Sequence, residues 1–230
     1  MKLFESIDEV SYDDSASIVA VLTGNRNLKN YIDKTFTSDP ATLQMKFPEL
    51  KEVLKYTSSR DRKIRAYSWE SGINGNEMSF LQFQAGDKTK IIWNTKVSDL
   101  TDAGSLAFVY NYSYSSITSV KTKLGKTVYL LIYEMQFPRV HERQEIIDAY
   151  AIDHGKLEPV YFFRTTKHQL SSISYSHDGQ GSIPDADSEI HLSDDKKTLY
   201  IPIVKDYYVT DKFLVYKFDG NNYVFDKNAK

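Results

Sequence analysis

Apolar residues along this chain change their period near residue 58, and the change predicts where helix gives way to sheet. Before it, Leu28, Tyr31, Ile32 and Phe36 recur at three- and four-residue steps, which gathers side chains on one face of a helix. Gly24 ends the apolar run at 18–22, and Asn27 suits the cap of the helix that follows. Asp39-Pro40 can cap a further helix, while Leu43, Met45 and Phe47 alternate as a short strand would. Pro48 fits the first turn of a helix carrying Leu50, Val53 and Leu54. Residues 1–57 thus read as a small helical cap with connectors.

From residue 58 onward the pattern is strand and turn. Three stretches, beginning at Lys63, Lys126 and Lys197, each follow a polar turn and lead into residues that suit a half-buried pleated surface. A second strand then closes on a glycine corner at Gly86, Gly155 or Gly220. The leading lysines stand 63 and 71 residues apart and the glycines 69 and 65, a pitch near enough to constant to predict one hairpin unit used three times. Ser59-Arg60-Asp61-Arg62-Lys63 and Ser193-Asp194-Asp195-Lys196-Lys197 read as matching tight turns, because Ser and Asp side chains accept hydrogen bonds from backbone amides two residues on. The clearest hairpin is the last, with Asp219-Gly220-Asn221-Asn222 between two aromatic strands. In the strand after the first turn, Arg65, Tyr67 and Trp69 share one face and Ile64, Ala66 and Ser68 the other. A polar stretch at 171–188 reads as a long loop.

The expected fold is mainly β: an antiparallel meander forming a twisted sheet, barrel or sandwich, with incomplete propeller-like repeats and a small N-terminal helical segment. Three units fall short of the four or more blades that close a propeller. Residues 58–230 form the β region, and the 230-residue chain is expected to make one domain in total.

Composition narrows the function classes. The net charge is −2, from 29 basic and 31 acidic residues that interleave, so no basic stripe marks a nucleic-acid partner. The absence of cysteine removes thiol nucleophiles, disulfides and cysteine metal sites. No apolar run approaches the length of a membrane span, and the residues after Met1 form no apolar signal core.

Catalytic signatures are missing: there is no Gly-x-Ser-x-Gly elbow and no glycine-rich phosphate loop. His141, His154, His168, His177 and His191 form no closely spaced ligand pair and read as turn and surface residues. Alternating Asp185, Asp187 and Glu189, with Asp178 nearby, offer oxygen ligands to calcium, although not at the spacing of a twelve-residue calcium loop. Tyrosine is the one excess, 17 in all. Tyr110, Tyr112 and Tyr114 would share one face of a strand, where amphipathic rings suit a sugar or a peptide, or pack the core.

The run Ser59-x-Asp61-x-Lys63-x-Arg65-x-Tyr67-x-Trp69, together with Thr210-Asp211-Lys212-Phe213-Leu214-Val215-Tyr216-Lys217-Phe218-Asp219-Gly220, resembles uncharacterised secreted or lipid-anchored β-rich proteins of Bacteroidetes-type bacteria. The chain departs from that pattern at Ser71-Gly72-Ile73-Asn74, where the group carries a glycine pair. The resemblance implies export and a β-rich fold, and carries over no site residue. The expectation is a non-enzymatic module, periplasmic or at the cell envelope after signal removal, that binds a glycan, peptide or protein partner. Its alternatives are a carboxylate-dependent hydrolase of envelope polymers and a structural or assembly domain; a cytoplasmic location is the alternative compartment.

Overall fold

The computed structural model of the protein describes residues 15–48, 53–72, 77–94, 111–136, 142–178 and 189–229. They build one long helix, α1 (Ser15–Ser38), a 3-10 helix (Pro40–Gln44), and the strands β1 (Lys55–Ser58), β2 (Ile64–Glu70), β3 (Glu77–Ala85), β4 (Lys88–Trp93), β5 (Asn111–Lys121), β6 (Thr127–Gln136), β7 (Glu142–Asp153), β8 (Lys156–Pro159), β9 (Phe163–Arg164), β10 (Gln169–Leu170), β11 (Ser172–Asp178), β12 (His191–Leu192), β13 (Thr198–Lys205), β14 (Tyr208–Phe218) and β15 (Tyr223–Phe225). The protein is mainly β, as the alternation predicts, with antiparallel sheets and a single N-terminal α-helix among the described residues.

The strands form three open sheets, in the orders β1-β2-β3-β4, β11-β7-β6-β5 with β8 also on β7, and β10-β9-β15-β14-β13-β12. Each contains four strands consecutive in sequence and paired in that order: β1 to β4, β5 to β8, and β12 to β15. Among the described strands one pairing is parallel, β15 with β9. By contacts the chain divides into two compact units, Met1–Tyr114 with Phe137–Val140, and Ser115–Gln136 with His141–Lys230.

In the first unit α1 runs unbroken through Gly24 and Asn27, where the sequence predicts an end and a new cap. A helical glycine costs about 1 kcal/mol. Val21, Leu28, Ile32 and Phe36 form one buried stripe on both sides of it and pack with Tyr67, Trp69, Met78 and Phe80, which outweighs that cost. Asn25, buried in the same stripe, donates to Ser71 O (2.7 Å) and to Val21 O (3.1 Å) and accepts from Trp69 Nε1 (3.4 Å). At Asp39-Pro40 the helical alternative holds: Asp39 Oδ1 accepts from Ala41 N–H (2.9 Å), and a 3-10 helix follows. The helix expected after Pro48 falls partly on residues 49–52, outside the described residues. The expected cap therefore shares its core with β2 and β3, where Tyr67 stacks on Phe80 with ring centres 4.5 Å apart.

The core of the second unit joins Val128, Leu130, Ile132, Ile147 and Ala149 to Phe162, Phe163, Ile190, Leu199, Ile201, Tyr216 and Tyr223. Its turns explain their sequences. Ser193 N–H donates to Thr198 O (2.9 Å), Lys196 N–H to Ser193 O (2.7 Å) and Ser193 Oγ to Asp195 Oδ1 (2.7 Å). The turn before β2 repeats this: Ser59 N–H to Ile64 O (2.9 Å), Arg62 N–H to Ser59 O (2.9 Å), Ser59 Oγ to Asp61 Oδ1 (2.7 Å). Arg62 and Lys196 both take φ 58°.

The glycine corners, expected to be alike, are of three kinds. Gly86 is the first residue of a two-residue turn, Gly155 the second, and Gly220 lies in a four-residue loop. All three have positive φ. At Gly220, with φ +102°, the neighbourhood is also close: a Cβ there would stand 2.3 Å from Lys123 Cε, so that side chain would have to shift, whereas a Cβ at Gly86 would meet nothing.

Part of the stretch 171–188, read as loop, is strand. Ile173, Tyr175 and His177 alternate with serines, and β11 pairs with β7 from Ser172↔Asp148 to Asp178↔Glu142.

Candidate binding site

Strands β13 and β14 pair as far as Lys205↔Tyr208, which leaves Asp206 and Tyr207 as the two central residues of their turn. Both lie in the left-handed region, at φ 52° and 68°. A two-residue hairpin needs this geometry to match strand twist, and Asn-Gly usually supplies it. For a tyrosine the conformation costs roughly 1–2 kcal/mol. The strained turn projects Tyr207 (70% exposed) and Tyr208 (50% exposed) into solvent. Asp178 N–H donates to Tyr207 O (2.9 Å), tying the end of β11 to the turn.

The result is a pocket of about 280 Å³ lined by Glu142, Asp178, Asp206, Tyr207 and Tyr208. Its wall is made by a cross-strand pair, Glu142 of β7 opposite Asp178 of β11. Three acidic residues and two tyrosines line the space, and among the described residues no basic one does. Ionised carboxylates only accept hydrogen bonds, so the occupant must bring donors.

A second acidic feature lies further along β7. Glu145 is 7% exposed, and both its oxygens lie 2.9 Å from Ile190 N–H. The hydroxyl of Tyr175, its cross-strand neighbour on β11, also donates to it. Burial pushes the Glu145 carboxyl up to about 7; the Tyr175 and Ile190 bonds pull the other way, and Glu189 and Glu134 push it further up.

The residues singled out from the sequence fall elsewhere. Tyr110 lies outside the described residues. Tyr112 and Tyr114 are half-buried on β5, and Tyr114 Oη accepts from Asn94 Nδ2 (2.8 Å). Asn111, on the opposite face of β5, is buried and accepts from Glu77 N–H (2.7 Å). Neither Tyr112 nor Tyr114 lines the pocket. Asp185 and Asp187 lie outside the described residues; Glu189 is exposed, and its carbonyl stands 3.1 Å from His191 Nδ1. Among the described residues no three His, Asp or Glu side chains are grouped to hold a metal ion.

The histidines divide. His154 is exposed in its turn beside Asp153 (2.9 Å). His177, read as a surface residue, is buried next to Tyr175 because β11 is a strand. His191 stacks on Tyr200, ring centres 4.8 Å apart.

Sequence reasoning missed Glu142, Asp206, Tyr207, Tyr208 and Glu145. Asp206 had a signal, since an aspartate between two apolar strands marks a turn. The pairing of Glu142 with Asp178 had none.

No family model matches the chain, and no curated protein or solved structure is significantly similar to it. Among the described residues no helix is long and apolar enough to cross a membrane. Fold and site thus define an antiparallel β protein with an acidic, tyrosine-edged pocket.

Proposed function

We infer that the protein is a non-enzymatic binding module whose ligand is a glycan, held in the pocket of Glu142, Asp178, Asp206, Tyr207 and Tyr208. The observation that carries this reading is the strained Asp206-Tyr207 turn. A tyrosine in the left-handed region persists only where the surroundings enforce it, and such strain gathers at ligand sites. Sugars present hydroxyl donors to carboxylates and C–H faces to phenol rings, which is the combination this pocket offers. The strands β7, β11, β13 and β14 are the scaffold that presents it. The resemblance of the Ser59–Trp69 and Thr210–Gly220 stretches to exported proteins supports a place at the cell envelope.

The hydrolase alternative needs a cleft that contains a carboxyl able to hold a proton near neutral pH. Here the buried, proton-holding Glu145 is not part of the pocket lining. That separation favours binding over bond cleavage.

The test is calorimetric titration of envelope glycans into wild-type protein and Tyr207→Gly. Glycine relieves the turn, so the variant should unfold at higher temperature yet bind at least about tenfold more weakly. Absence of binding to any glycan would overturn the proposal. So would tight, steeply salt-dependent capture of a lysine-rich peptide, which would make the carboxylates a cation site.

A further inference from the structure

We propose that Glu145 is a proton-operated clasp: neutral, it fastens Ile190 at the head of β12 to the β11-β7-β6-β5 sheet, and ionised, it releases that segment and loosens β11. The geometry brings three separate segments to one carboxyl group. Glu145 sits on β7, Tyr175 comes from β11, and Ile190 comes from the segment entering β12. Tyr175 and Ile190 bracket residues 176–189 in the chain, so one side chain ties both ends of that stretch. β11 is an edge strand of its sheet: among the described strands it pairs with β7 alone, and its end is tied to the β13–β14 turn by the Asp178 N–H bond to Tyr207 O.

The surroundings disfavour a charge on Glu145. It forms no ion pair with a basic side chain among the described residues. Its cross-strand partner on β6 is Glu134, and Glu189 directly precedes Ile190. Arg143 of β7 is engaged with Glu134 (Nη1 to Oε2, 3.3 Å). From β11 the titratable groups on this side of the sheet are Tyr175 and His177, opposite Glu145 and Arg143.

As a neutral acid Glu145 still accepts the Ile190 N–H bond on its carbonyl oxygen and exchanges a hydroxyl bond with Tyr175. As an anion in the closed site it is desolvated and faces two carboxylates. Opening returns it to water, where the anion is the favoured form, and the proton passes to solvent. Alkaline pH therefore drives opening, and the raised proton affinity of the closed site supports the same direction.

Asp178, three residues beyond Tyr175, forms one wall of the pocket, so the clasp would also tune ligand affinity. That consequence rests on the glycan-binding reading; the clasp itself does not.

Hydrogen exchange at the Ile190 amide between pH 5.5 and 8.5, corrected for intrinsic chemistry, tests the clasp without any ligand. Protection should fall by about thirtyfold in the wild type, since each pKa unit corresponds to about tenfold and about one and a half of them fall within this range. It should stay level in Glu145→Gln, whose amide cannot ionise. Glu134→Gln removes a repulsive neighbour and should move the midpoint to lower pH, and Tyr175→Phe should move it to higher pH. Level protection in the wild type, or the same fall in Glu145→Gln, would overturn the proposal. Should Glu145→Gln fail to fold, unmoved midpoints in the other two variants would do so. Loss of glycan binding with the exchange profile intact would count against the pocket alone.

Discussion

Arg65 in the first unit and Glu145 in the second are both buried ionisable residues without an ion-pair partner among the described residues, and the two units accommodate them in opposite ways. Arg65, 4% exposed, donates from Nη1 to Met45 O (2.5 Å), Thr42 O (3.4 Å) and Leu43 O (3.5 Å). Its guanidinium lies 3.9 Å from the Tyr56 ring centre, 5.3 Å from that of Tyr67 and 5.6 Å from that of Phe47. A guanidinium cannot shed its proton, so this charge must be solvated permanently, here by carbonyl dipoles and ring faces. A carboxyl group has another route: it keeps its proton. The first unit uses a charge as a fixed joint, and the second unit holds one that depends on pH.

Removing the fixed joint has the largest expected effect. Arg65→Leu removes the donor shared by the Thr42, Leu43 and Met45 carbonyls and strips the rings of their cation, which should cost about 3 kcal/mol in denaturant titration at any pH from 5 to 9. A pH-dependent loss would break the contrast between the two units.

For Glu145 the sign follows from proton counting. The folded carboxyl holds its proton up to about 7, whereas an unperturbed one releases it near 4.5. Between those values the folded state carries the extra proton, so this group's contribution to stability declines as pH rises and the full penalty stands above about 7. Glu145→Gln should therefore be more stable than wild type by about 3 kcal/mol at pH 8.5 and by about 1 kcal/mol or less at pH 5, by thermal unfolding. A constant difference across that range would sink the claim.

Tyr67→Phe probes the neighbours of the fixed charge. The Tyr67 hydroxyl bonds Gln82 Oε1 (3.0 Å), and burial pushes its pKa up to about 12, so it acts as a neutral donor throughout the working range. Its loss should cost about 1 kcal/mol, independent of pH. Tyr56→Leu removes the ring nearest Arg65 at a 40% exposed position and should cost about 0.5 kcal/mol. An effect larger than that of Tyr67→Phe would place more of the charge's stabilisation in ring contacts than in hydrogen bonds.

Much of this architecture was readable from local chemistry. The Ser59 and Ser193 turns were legible because their hydrogen bonds run between residues five or fewer apart. The alternation from Ile64 to Trp69 placed Arg65, Tyr67 and Trp69 on one face, and two of the three join the helix core. The continuous α1 was not legible, since Gly24 and Asn27 are local signals overruled by Asn25 bonding Ser71, 46 residues away. Glu145 lies in the polar run Glu142-Arg143-Gln144-Glu145, which carries no local sign of burial. Its burial comes from Tyr175 and Ile190, 30 and 45 residues distant.

The sequence by itself determined the strand pattern, the serine-aspartate turns and the helical start, because each depends on neighbours within a few residues. Tertiary structure alone decided which charges are buried, which carboxylates stand opposite one another and which tyrosines meet solvent. Those outcomes depend on desolvation and pairing between distant segments, and a local pattern holds no record of either.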